Sequence, residues 1–180
     1  KKSFAAGAIV ESPVEKGLLY MGTDHGAFWV SKNDGANWEE HSAGIANNYI
    51  RSISPSRFKT SRVYMAMTGL NYDDLHSYLY SSDDYGKTWK SIASGLPDEP
   101  VNVVKEDPTN ENILYAGGLR GVYISIDRGN KWSYLGINMP AAAVADLEIH
   151  EATMDLVVGT HGRGIYKTSL KPIQKMMSQN

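Results

Sequence analysis

Apolar and polar residues alternate along this chain in short runs, and no long segment carries the 3.6-residue apolar period of a helix. Four runs read as pairs of strands joined by polar or glycine-rich turns: LLYMGTDHGAFWVS (18–31), VYMAMTGLNYDDLHSYLYSS (63–82), ILYAGGLRGVYIS (113–125) and LVVGTHGRGIYKT (156–168). A shorter strand-like run precedes each of them: AIVESP (8–13), YIRSISP (49–55), VNVVKEDP (101–108) and VADLEIHE (144–151). Only the tail, LKPIQKMMSQN, suits a short helix, with Pro172 placed for the first turn.

A frame recurs at the end of three of the long runs. It reads SKNDGANW (31–38), SDDYGKTW (82–89) and SIDRGNKW (125–132), or Ser-x-Asp/Asn-x-Gly-x-x-Trp. The frame residues are Ser31, Asn33, Gly35 and Trp38; Ser82, Asp84, Gly86 and Trp89; and Ser125, Asp127, Gly129 and Trp132. A degenerate fourth copy begins at Thr168 and lacks the tryptophan. The chemistry suits a hairpin turn. The Asp or Asn side chain accepts backbone N–H bonds, the glycine permits positive φ, and the tryptophan anchors a core. Asp83 falls outside the frame and reads as incidental. DDYG resembles the start of a calcium loop only faintly, because the downstream bidentate Glu is missing at the required spacing.

Each unit is therefore strand A, turn, strand B, loop, strand C, frame turn, strand D. A period near 43 residues with four short strands per unit is the signature of a β-propeller blade. The fold class is all-β, a propeller of four-stranded antiparallel blades over residues 1–170, in units 8–48, 49–100, 101–143 and 144–170. Residues 171–180 form a tail. The fourth unit shows no strand D, and a seven-bladed ring needs roughly 315 residues. These points favour a partial ring of a larger propeller over a closed four-bladed one.

Composition narrows the functional classes. The 180 residues are 42% hydrophobic with a net charge of −2, and the lysines and arginines form no basic cluster. Nothing here draws the chain to nucleic acid, and no apolar stretch is long enough to insert into a bilayer. Cysteine is absent, which excludes disulfides and a thiol nucleophile. The opening KKSFAAG has no signal-cleavage pattern. No G-x-S-x-G, HExxH or P-loop motif occurs, and no helix follows GGLRG to make a dinucleotide site. No cofactor and no metal are expected.

The unusual side chains gather in the B–C loops, on the face opposite the frame turns. These loops read TDHGA (23–27), TGLNYDDLHS (68–77), GGLRG (117–121) and THGRG (160–164), the second about six residues longer than its counterparts. They carry the candidate ligand-binding residues Asp24, His25, Tyr72, Asp73, Asp74, His76, Arg120, His161 and Arg163. Two carboxylates with histidines and arginines suit a sugar, a peptide terminus or a phosphate. The alternative is plain loop solvation, with Arg163 pairing to a neighbouring blade. Alternation along its inner strand turns Asp146 toward the channel.

The frame resembles the Asp-box, or BNR repeat, of sialidases, xyloglucan-cleaving hydrolases and sortilin/Vps10-type propellers. From about residue 9 to 170 the chain is similar to the last blades of large bacterial sortilin-like, glycosyl-hydrolase-like BNR proteins. ESPVEKGLLYMGTDHG, YLYSSDDYGKTWKSIASGLP, EDPTNENILYAGG and LVVGTHGRGIY carry the likeness. The resemblance implies an exported, extracytoplasmic module that binds a glycan, peptide or protein and meets the remaining blades of a longer chain or a symmetry mate. The alternatives are a glycoside hydrolase fragment whose active site needs other blades, and a structural scaffold. No catalytic residue of those hydrolases can be placed in this sequence.

Overall fold

A computed structural model describes residues 5–136 and 138–178. The expected propeller unit and tail also extend over 1–4, 137 and 179–180, which lie outside the described residues.

The first sheet contains β1 (Ala6–Glu11), β2 (Leu19–Thr23), β3 (Phe28–Ser31) and β4 (Glu39–Glu40). The second contains β5 (Tyr49–Pro55), β6 (Val63–Gly69), β7 (Asp74–Ser82) and β8 (Lys90–Ser91). The third contains β9 (Val101–Glu106), β10 (Leu114–Gly118), β11 (Val122–Ser125) and β12 (Ser133–Tyr134). The last has three strands, β13 (Val144–His150), β14 (Asp155–Thr160) and β15 (Ile165–Ser169). Every pairing is antiparallel and joins neighbours in sequence, as hairpin-linked blades require. The all-β, four-sheet architecture read from the repeat is the one observed.

Three apolar layers hold consecutive sheets together. Tyr20, Phe28, Ile50 and Met65 fill the first interface, Leu79, Val104 and Trp132 the second, and Tyr115, Leu147 and Leu156 the third. Helix α1 (Lys171–Met177) covers the third layer with Ile173 and Met177. Its Gln174 donates to the fully buried Asp107 carboxylate at 3.0 Å. The outer faces of the terminal sheets lie open. Ile9 is 65% exposed and Ile165 is 78% exposed. No helix among the described residues is long and apolar enough to cross a membrane.

The three frame turns are nearly superposable in their bonds. The Ser31, Ser82 and Ser125 hydroxyls each donate to the Asn33, Asp84 or Asp127 side chain, and each accepts the N–H of the frame glycine at 2.8–2.9 Å. The residue before the glycine is left-handed too: Asp34, Tyr85 and Arg128 have φ of 55–63°. Each frame turn also bonds its own A–B turn, as in Tyr85 N to Ser61 O at 2.8 Å, so the two turns share one face.

The tryptophans join sheets in order. Trp89 Nε1 donates to His41 O of the first sheet's last turn, and Trp132 Nε1 donates to Ile92 O after the second sheet. Trp38 has no preceding sheet, and its indole makes no hydrogen bond among the described residues. Gly86 packs against the first sheet so closely that a Cβ would lie 2.6 Å from Phe28. Asp83 is not incidental, contrary to the sequence reading. It accepts from the buried Arg62 Nε at 2.8 Å and pairs with Lys59 at 3.1 Å.

Candidate functional site

The B–C loops meet the connections that lead from one sheet to the next, opposite the frame turns. Asp74 contacts Asn48, Arg120 contacts Glu99, and His161 N donates to Ala143 O. Between them the inner strands β1, β5, β9 and β13 leave an axial hollow. Its mouth, of about 370 Å³, is lined by Tyr49, Arg51, Leu70, Asn71, Asn102, Leu119, Val144 and His161. It shares Tyr49, Arg51, Asn102 and Ala145 with an adjoining, larger and more polar groove of about 560 Å³ that holds Ile9, Lys105 and Asp146. Asp146 thus lies along the axis. The Arg51 guanidinium stacks 5.4 Å from the Tyr49 ring centre and forms no ion pair among the described residues.

The long loop is mostly strand. β6 runs to Gly69 and β7 begins at Asp74, so the extra residues lengthen the hairpin. Only a 3-10 turn, Leu70–Tyr72, and the left-handed Asp73 lie outside it. Asp74 pins this turn. Its carboxylate accepts from the Tyr78 hydroxyl at 2.7 Å, Asn48 Nδ2 at 3.1 Å and His76 N at 3.1 Å, and pairs with His76 Nδ1 at 2.7 Å. The Tyr78 bond, followed by those from His76, holds the carboxyl well below the usual range. The Tyr78 bond pushes Tyr78 itself up to about 12, and the bond from His76 Nδ1 to Asp74 raises His76, which also feels Asp98 at 3.9 Å. Asp24 is similarly lowered by its 2.6 Å contact with His25.

The nine residues proposed from sequence do not converge. Asp24 with His25 and Asp74 with His76 form two separate pairs. His161 lines the mouth. Tyr72 is 52% exposed, and Arg163 makes no ion pair among the described residues. Arg120 reaches the buried Glu99, whose Oε1 accepts from Tyr123 and from Arg120 N, with Oε2 3.2 Å from Arg120 Nε. Among the described residues no group of three His, Asp or Glu could hold a metal ion.

Sequence reasoning missed Tyr49, Arg51 and Asn102. Alternation along YIRSISP and VNVVKEDP turns them toward the axis by the same logic that placed Asp146.

Chemically, Asp24 and Asp74 are committed acceptors. A glycosidic general acid needs a raised pKa, whereas Asp24 and Asp74 are lowered. Burial does raise Glu106, but Ser56 Oγ and Arg57 N occupy its oxygens at the far end of β9. The mouth itself is apolar and aromatic, and it is edged by His161, by side-chain amides and by Arg51, which forms no ion pair among the described residues.

Radial antiparallel sheets around an axial hollow define this chain as an open segment of a β-propeller. Its structural neighbours include GH74 enzymes, YCF48 and the Cps50 (Swd1) β-propeller domain of Myceliophteria thermophila. A GH74 enzyme from Niastella koreensis matches with a TM-score of 0.75 at 16% identity, over 93% of this chain and 29% of that one. The GH74 xyloglucanase from Xanthomonas campestris matches at 0.69 and 17% identity, over 94% of this chain and 29% of that one. YCF48 bound to D1 peptide matches at 0.63 and 13% identity, covering 90% and 54%. In sequence, a probable oligoxyloglucan-reducing end-specific xyloglucanase from Neosartorya fischeri is 25% identical over 127 residues, or 63% of this chain. The chain spans 15% of that relative's length. No protein-family model matches.

Proposed function

We propose that this chain is a non-catalytic part of a larger propeller protein and that its loop face binds an oligosaccharide. The observation that carries the reading is the mouth itself. There Tyr49, Arg51, Asn71, Asn102 and His161 offer one aromatic ring, a cation and amides, while Asp24 and Asp74 on the loop face are held in hydrogen bonds. Sequence similarity to a probable xyloglucanase supports a glycan over a peptide. The Asp-box resemblance of the frame turns and the lone Trp38 indole support further blades beyond the first sheet. The same relatives support a location outside the cytoplasm.

Calorimetric titration of the chain with xyloglucan oligosaccharides tests this. Binding is expected, weakened at least tenfold by Arg51→Ala or His161→Ala, with no release of reducing sugar. Absence of binding to glycans, with capture of an extended peptide instead, overturns the oligosaccharide assignment. A second reading rests on the xyloglucanase similarity. In it the chain forms one wall of a hydrolase cleft whose acids lie on other blades, and only the longer protein releases sugar.

A further inference from the structure

The repeat makes each blade a control for its neighbours. Strand B begins Leu18-Leu19-Tyr20 in the first sheet, Arg62-Val63-Tyr64 in the second and Ile113-Leu114-Tyr115 in the third. Leu18 and Ile113 are fully buried, as their type predicts; Arg62 occupies the same place and is only 6% exposed. The three tyrosines are buried as well. Tyr20 donates its hydroxyl to Thr60 O at 3.4 Å, and Tyr115 to Asp107 Oδ2 at 2.9 Å. The Tyr64 hydroxyl is buried and forms no hydrogen bond among the described residues. Glu106 and Arg62 lie close enough to act on it, although neither meets it in well-formed hydrogen-bond geometry.

An arginine in an aliphatic position and a buried hydroxyl without a well-formed hydrogen bond are each costly to folding. Both departures line one polar pocket of about 130 Å³ between the second and third sheets. That volume is well above the roughly 10–15 Å³ that a single water needs. Lys90, Asp83, Arg128 and Asn130 complete its wall. Arg62 uses Nε on Asp83 and Nη1 on Glu111. Arg128 approaches Glu111 only at 3.7 Å, and Lys90 meets Asn130 Oδ1 at 3.5 Å with no carboxylate partner among the described residues. With Lys59, four cations stand against three carboxylates, Asp83, Glu111 and the partly buried Glu106 beside Tyr64.

We infer that this pocket binds a tetrahedral oxyanion, phosphate or sulfate, between the second and third sheets. Lys90 and Arg128 supply the charge, Arg62 the buried guanidinium and Tyr64 a hydroxyl donor. The site lies on the frame-turn side, away from the loop mouth, and does not depend on the proposed glycan site.

The test is thermal unfolding and amide NMR of the whole chain in inorganic phosphate or sulfate, against sodium chloride at matched ionic strength. A saturable rise in Tm beyond chloride is expected, with shifts at Lys90, Arg128 and Asn130. Lys90→Gln and Arg128→Gln, both at exposed positions, should each weaken phosphate at least fivefold. Tyr64→Phe should match or exceed the parent in Tm without anion and yet bind phosphate more weakly. A sugar phosphate and a sugar sulfate separate the sources: binding of inorganic ions alone assigns a free anion, and tighter binding of an ester assigns a ligand group. Equal responses to phosphate and chloride, or unchanged affinity in both charge variants, overturn the inference.

Discussion

Trp132→Phe isolates the bond that ties the third sheet to the second. The indole is buried and donates to Ile92 O at 2.7 Å. Phenylalanine keeps an aromatic ring but leaves that carbonyl unpaired, a loss of about 1–3 kcal/mol. The missing indole atoms leave a small cavity worth a further 1–2 kcal/mol or so, a fraction of the about 3–5 kcal/mol of a full truncation to alanine. The expected loss is therefore about 2–5 kcal/mol. Urea unfolding followed by circular dichroism should show the midpoint fall by about 1–2.5 M, for an m-value of about 2 kcal/mol/M. Trp38→Phe is the internal control. Its indole bonds no preceding sheet, so the same substitution should cost under about 0.5–1 kcal/mol. Equal losses at Trp38 and Trp132, or a silent Trp132→Phe, would refute the view that frame tryptophans stabilise by binding the sheet before them.

Other outcomes follow from the same geometry. Gly86→Ala combines a φ of +83° with a 2.6 Å approach to Phe28 and should cost more than about 2 kcal/mol. Gly44→Ala has a similar φ but open space and should cost about 1–2 kcal/mol in the same urea assay. Asp83→Ala leaves the buried Arg62 with Glu111 alone and should lose about 1.5–3 kcal/mol, far more than a free surface carboxylate would. In NMR titrations Asp74 should titrate below the usual carboxylate range and His76 above its usual value, with Asp74→Asn returning His76 toward about 6.5. Because the Asp74 pKa is lowered by folding, its stabilisation is complete above about pH 4 and fades as pH falls through the folded value. The raised His76 contributes in the opposite sense: fully below about pH 6.5, fading as pH rises through its folded value.

The sheets were legible because a blade is written locally. Ser82, Asp84 and Gly86 close one turn with bonds no longer than four residues in sequence, and that pattern repeats visibly. Residues 68–77 were read as a long loop because Asp74 and His76 look like loop residues, whereas β7 begins at Asp74. What holds them in strand β7 is Asn48, 26 residues away, and the cross-strand partner Gly69. Asp83 was misjudged for the same reason: its value comes from Arg62, which only the fold brings near. The site was less legible still. Tyr49, Arg51 and Asn102 are ordinary strand residues until three inner strands converge on one axis.

The most direct test of the account is amide-shift mapping of the whole chain during titration with a xyloglucan oligosaccharide. Shifts concentrated at Tyr49, Arg51, Leu119 and His161, with the frame turns at 31–38, 82–89 and 125–132 unmoved and the oligosaccharide intact, are the predicted result. Shifts confined to the frame turns, or none at saturating ligand, would contradict it.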